Sequence, residues 1–119
     1  MTTDPAEHGA APRVRRPAVA GSFYPATADT LRSSIREAFA DAVRPDDGAP
    51  LPEALVVPHA SYIYSGPIAA TAYALLQRQA EQVQRVAVLA PSHRVAFRGI
   101  AVSSADRFRT PLGDIPVDR

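Results

Sequence analysis

Lysine is missing from this chain, because all 13 of its basic residues are arginine. That excludes a lysine nucleophile, a Schiff base and a phosphate-loop lysine, and leaves guanidinium groups as the fixed cations. Cysteine is missing as well, so the 119 residues hold no disulfide framework, no thiolate zinc site and no cysteine nucleophile. A strong charge of either sign is also lacking. The 13 basic residues stand against 12 acidic ones for a net charge of +1. So small a field steers neither nucleic acid nor anionic lipid, and neither is expected as a partner. No apolar run reaches the roughly 18 residues that a membrane-spanning helix needs. The first twenty residues mix acids and bases with three prolines instead of forming a secretory signal, which makes a cytoplasmic protein the expectation. G-x-S-x-G, G-x-G-x-x-G and H-E-x-x-H are all absent, so serine hydrolase, dinucleotide enzyme and zincin readings have no support.

What the chain does have is a globular mixture, 46% hydrophobic and 21% charged. Its length is that of one domain, which buries about two-thirds of its unfolded surface. Residues 1–12 have no periodicity and read as a poorly ordered tail in which His8 is a solvated residue; residues 13–119 read as the domain. Leu31, Ile35, Phe39 and Val43 recur every fourth residue, with Arg32, Arg36, Glu37 and Asp41 between them. This spacing predicts an amphipathic helix capped by Thr27, with Asp29 in its first turn and Pro45, Asp46, Asp47 and Gly48 ending it.

Residues 51–58, centred on Ala54-Leu55-Val56-Val57, form a short apolar run typical of a strand buried on both faces, and residues 85–90 form another. Ile68, Ala72, Leu75 and Leu76 give helical spacing between them, over residues 67–79, with Pro67 suited to the first helical position. Strand, helix and strand make a βαβ unit in a mostly parallel α/β sheet with helices packed on it. Residues 99–103 and 115–117 are weaker strand candidates on either side of the turn Thr110-Pro111-Leu112-Gly113, and Pro116 favours an edge. No terminal helix follows to cover the sheet, so the domain reads as incomplete at its C-terminus.

A βαβ crossover is right-handed and brings the carboxyl ends of its two strands to one sheet edge, where open α/β sheets bind ligands. His59 follows the first run and His93 the second, so topology brings them together. Neutral imidazoles bind iron, zinc and copper, and two histidines with one carboxylate leave open positions on non-haem iron(II). The alternative is a pair of loop histidines that hydrogen-bond to backbone. Residues 62–67 open the second helix at the same edge, where free N–H groups suit a small anionic or aromatic molecule carrying a carboxylate or phenolate. Ser65 or Gly66 can equally be an ordinary N-cap, and Tyr62 or Tyr64 a core residue. Gly21-Ser22-Phe23-Tyr24-Pro25 reads as a turn with two buried aromatic rings, with a ligand role as the alternative. Tyr64, Ser65 and Ser92 are the candidate ligand contacts beside the histidines, and no catalytic residue is assigned.

Four segments occur in an order that resembles the Memo family, including the bacterial AmmeMemoRadiSam system protein B. They are Ala18-Val19-Ala20-Gly21-Ser22-Phe23-Tyr24-Pro25, the run from Pro58-His59-Ala60-Ser61 through Tyr62-Ile63-Tyr64-Ser65-Gly66-Pro67, Ala90-Pro91-Ser92-His93, and Thr110-Pro111-Leu112-Gly113. The likeness covers residues 15–119. It implies a fold similar to the class III extradiol ring-cleavage dioxygenases and a metal pocket whose first two ligands match His59 and His93. It further implies a third group from the C-terminal half of a chain more than twice this length, a cysteine in the family and a carboxylate in the dioxygenases. This chain would then be the N-terminal part. Ser61 stands where the family usually has glycine, and Arg94 where a second histidine is common.

Two functions follow as expectations. One is a metal-dependent, dioxygenase-like oxidoreductase with iron(II), copper or zinc at His59 and His93; the other is a non-catalytic module that binds a peptide or protein, or an inactive truncated product.

Overall fold

The computed structural model describes residues 11–118 apart from Pro45 and Asp47. The expected tail lies outside the described residues up to residue 10, as does His8. In chain order the elements are β1 (Val14–Arg15), α1 (Ala28–Ala40), α2 (Tyr62–Ala74), a 3₁₀ segment (Gln77–Gln82), β2 (Arg107–Thr110) and β3 (Gly113–Pro116).

Local chemistry accounts for α1. Thr27 adopts extended backbone angles and its hydroxyl accepts from the Thr30 N–H at 3.4 Å, an N-cap of the kind that typically contributes about 1 kcal/mol. Asp29 sits in the first turn and pairs with Arg32 at 3.3 Å. The helix stops at Ala40 with Asp41 as its C-cap. That is short of the expected breaker, of which Pro45 and Asp47 lie outside the described residues. Leu31 is buried, and Ile35 and Phe39 are half-buried. Val43 is exposed, because the helical register that would align it with the other three ends before it.

The second helix begins earlier than its sequence pattern implies. Its N-cap is Ser61 and it runs through Pro67, which therefore lies inside the helix and not at its first position. An internal proline leaves the carbonyl four residues back without its N–H partner, here that of Ile63. Small residues let α1 and α2 approach: Ala42, Ala70 and Ala74 are buried together, with Ala38 and Phe39 packed against them. The Thr71 hydroxyl bridges the pair, accepting from the Val43 N–H and donating to the Pro67 carbonyl, each at 3.4 Å.

The sheet is small and mixed, in the order β1-β2-β3. β1 runs parallel to β2 and β2 antiparallel to β3. The Asp106 N–H donates to the Arg13 carbonyl at 2.8 Å, and the Asp106 carboxylate accepts from the Arg13 N–H at 2.6 Å, fixing where the two distant segments meet. The Arg15 guanidinium lies over the Phe108 ring, 5.1 Å from its centroid. The turn at Thr110-Pro111-Leu112-Gly113 closes the β2-β3 hairpin as expected. Gly113 has φ +130°, a conformation that side-chain-bearing residues rarely adopt. β3 overlaps the expected strand at 115–117, whereas β2 falls between the expected strand at 99–103 and the turn, where no strand was expected.

Directly opposite one another in the hairpin, Arg109 and Asp114 form a two-pronged ion pair at 2.8 and 2.9 Å. The Arg109 hydrogen bond, reinforced by the charges of Arg109 and Arg107, holds the Asp114 carboxyl below its ordinary value of 3.8. A carboxyl lowered on folding stabilises above its unfolded pKa and loses that contribution as pH falls through the lower, folded value. Hairpin stability should therefore decline below about pH 4, and Asp114→Asn should flatten that decline. Urea midpoints measured between pH 2 and 6 that fall equally in both proteins would exclude this role.

The expected βαβ unit is not formed among the described residues. Residues 51–58, 85–90 and 99–103 belong to no helix and no strand ladder. A parallel pair is stable when helices or sheets cover both of its faces. Here Val56 is 99% exposed while Leu55 and Val57 on either side of it are half-buried, so the first run is partly covered on one side only, and residues 85–90 are exposed throughout. The helices pack chiefly on each other, and a cavity of about 410 Å³ separates α1 from the hairpin. No helix among the described residues is long and apolar enough to cross a membrane.

Candidate functional site

Although the two runs do not pair, their ends bring His59 and His93 into contact. The Nε2 atoms are 2.9 Å apart, with ring centroids at 5.2 Å and planes 23° apart, so the rings meet end to end through these nitrogens. Both rings are exposed. Without an ion this is a hydrogen-bond distance, with one Nε2–H donating to the bare Nε2 of the other ring. Around a shared ion, two imidazole nitrogens each about 2.1 Å from the metal would be about 3.0 Å apart at a right angle and about 3.4 Å apart at the tetrahedral angle. The observed spacing falls just below that range, and with the centroids 5.2 Å apart the two Nε2 atoms point almost straight at each other, so the rings would have to turn toward a common point to share one ion. Among the described residues no third histidine, cysteine or carboxylate joins them.

The loops that carry the rings are held from within. The Ser65 hydroxyl accepts from the Ala60 N–H at 2.8 Å, and Ser65 is the buried polar residue of this region at 6% exposure. The Ser92 hydroxyl donates to the Val95 carbonyl at 2.6 Å and accepts from the Val95 N–H at 3.3 Å, closing the turn that contains His93 and Arg94. Of the expected ligand contacts, Ser65 and Ser92 thus bond to their own backbone neighbourhood, and Tyr64 is 72% exposed. Neither Ser65 nor Gly66 is the N-cap: Ser61 is, at φ −67° and ψ 160°. These are ordinary extended angles, so a serine replaces the usual glycine there without backbone strain.

Some of the donors at the start of α2 are engaged. The Tyr62 N–H donates to the Phe23 carbonyl at 2.8 Å, and the Tyr64 and Ser65 N–H groups to the Ser61 carbonyl at 3.0 and 2.9 Å. The Ser65 bond is the first regular turn of the helix, so of the first four N–H groups those of Tyr62 and Tyr64 are engaged. The Phe23 bond ties the helix to the turn at residues 19–24, where Gly21 has φ +83° and the Phe23 N–H bonds to the Val19 carbonyl. Of the two rings expected to be buried in that turn, Tyr24 is half-buried and packs 5.9 Å from Tyr62, whereas Phe23 is exposed on the wall of an open cleft. Tyr62 is exposed over part of its surface, and burial of its hydroxyl, followed by the neighbouring Tyr24 and Tyr73, raises its pKa. Tyr62 is therefore a neutral donor near neutrality.

A cleft of about 650 Å³ that sequence reasoning did not anticipate opens between α1, α2 and this turn. Phe23, Tyr62 and Ile63 line it, together with the acidic Glu37 and Asp41. It does not include the histidines, and its parts come from three segments whose meeting no local motif announces.

Comparison with known proteins matches residues 15–119 to the family model described as Memo-like protein. A MEMO1 family protein of Methanopyrus kandleri is 37% identical, the match covering 87% of this chain and 38% of that protein. A MEMO1 family protein of a Thermotoga species is also 37% identical, over 88% of this chain and 40% of the relative. A memo-1 homologue of Caenorhabditis elegans is 41% identical over 83% of this chain and 27% of its own length. The chain spans about two-fifths or less of the curated relatives it matches. No solved structure matches it significantly.

Proposed function

Because the chain belongs to the Memo family, we propose that it carries the two-histidine portion of a metal pocket related to that of the class III extradiol dioxygenases. The observation that carries this reading is the 2.9 Å approach of the His59 and His93 Nε2 atoms. His59 and His93 would hold the ion, with iron(II) the preferred occupant of a nitrogen set completed by oxygen or sulfur donors, and zinc or copper the alternatives. Such an ion acts as a Lewis acid that polarises a bound oxygen. The chain's own part would be to bring two imidazoles together at the surface, and water, a small anionic or aromatic substrate, or a further protein group would complete the ion's surroundings. Anaerobic titration of the wild-type chain with iron(II), or with cobalt(II) as a spectroscopic substitute, tests this. One equivalent is expected to bind, and no binding to the wild type removes the reading.

A second reading, a docking module for a protein or peptide, draws on the exposed apolar residues Val86, Val88, Leu89, Ile100 and Val102. It predicts partner capture that survives both chelation and loss of the histidines.

A further inference from the structure

His59 and His93 meet at 2.9 Å although both rings are exposed, so no surrounding core presses them together. Their loops must be set by the backbone. The peptide plane between His59 and Ala60 contains the His59 carbonyl and the Ala60 N–H, and its orientation is the His59 ψ angle. Anchoring that N–H therefore removes one of the two soft backbone torsions of His59. The Ser65 hydroxyl provides the anchor, at 2.8 Å.

The neighbouring bonds explain why the anchor comes from inside the helix. Ser61 is the N-cap of α2, but its side chain makes no capping hydrogen bond. Ser65, a turn further on, reaches back to the residue before the cap, and it does so from a buried position. A buried hydroxyl with one fixed partner has little freedom to choose another, and leaving the Ala60 N–H without that partner is costly. Helix α2 is itself seated against α1 through Ala70 and Ala74, so the anchor refers His59 to the packed part of the molecule.

We propose that Ser65 is a positioning residue for the histidine pair, holding the His59 loop so that its imidazole meets that of His93. It acts through the Ala60 N–H and touches neither ring nor ligand. Its consequence for metal affinity rests on the metal reading above, but its effect on the ring pair does not.

The test uses the full 119-residue chain. In the metal-free protein, a nuclear Overhauser contact between the His59 and His93 ring protons is expected in the wild type, lost in Ser65→Ala and restored in Ser65→Thr, which keeps the hydroxyl. With cobalt(II), Ser65→Ala should raise the dissociation constant about tenfold, in the range typical of groups that orient metal ligands, and Ser65→Thr should return it to near the wild-type value. Retention of the ring contact in a folded Ser65→Ala protein would overturn the proposal, whether or not cobalt binds. A wild type that shows the ring contact but binds no cobalt fails the metal reading alone. Should Ser65→Ala not fold, Ser65→Cys keeps the volume with a poor acceptor, and ring contacts of equal strength in the Cys and Thr variants would also overturn it.

Discussion

His59→Ala and His93→Ala should each weaken cobalt(II) or iron(II) binding by more than about a hundredfold, exceeding the usual effect of changing a group behind a ligand. Removing either ring leaves a single imidazole, which has no chelate partner among the described residues, since no third histidine, cysteine or carboxylate stands beside it. Stability should hardly change. Both rings are exposed, and substitutions at such positions usually alter stability by less than about 0.5 kcal/mol. The two readouts together separate a ligand from a structural residue: isothermal titration should show the loss while the urea midpoint stays in place. Wild-type affinity in either variant, or an equal loss of stability, would contradict the shared site.

The second large effect concerns folding. Leu31 is 3% exposed, and among the described residues the other buried apolar ones are Ala42, Ala70, Ala74 and Ala105, so Leu31 is the largest side chain of that described set. It also borders the cavity of about 410 Å³ next to Ile35, Leu112 and Ile115. Leu31→Ala would enlarge a space that the surroundings already leave unfilled, and buried leucine truncations cost about 2–5 kcal/mol. Domains of this size have a total stability of about 5–15 kcal/mol, so the variant should lose a large share of its stability and its urea midpoint should fall clearly. Val56→Ala gives the opposite expectation. At 99% exposure Val56 should cost under about 0.5 kcal/mol, whereas a valine in a covered parallel strand would cost more than about 1 kcal/mol. Urea unfolding followed by circular dichroism distinguishes the two outcomes.

Local signals were legible where one segment carries its own instructions. Thr27, Asp29 and the spacing of Leu31, Ile35 and Phe39 specify α1 through capping, the helix dipole and one apolar face. Thr110-Pro111-Leu112-Gly113 specifies a turn because Gly113 accepts a positive φ. The start of α2 was less legible, since Pro67 gave a stronger local cue than Ser61, whose capping position is visible only once Tyr62 meets Phe23. The apolar runs illustrate the opposite limit. Residues 54–57 and 85–90 have the composition of buried strands, but a strand exists only through hydrogen bonds to a neighbour, and composition does not supply that neighbour.

For the site, residue identity singled out His59 and His93, but the parallel strand pair expected to bring them together is not formed among the described residues. Ring contact across 34 residues of sequence, with both hydroxyls of Ser65 and Ser92 turned to backbone, was settled by the folded chain. The same division holds throughout the molecule. Sequence alone determined the family, the first helix, the hairpin turn and the two imidazoles, because each depends on residue identity or on interactions within a few positions. Tertiary structure decided the mixed sheet, the cleft beside α1 and the approach of the rings. Those depend on which distant backbone groups find one another, as Asp106 finds Arg13 and Tyr62 finds Phe23, and the spacing of residues along a chain does not encode that choice.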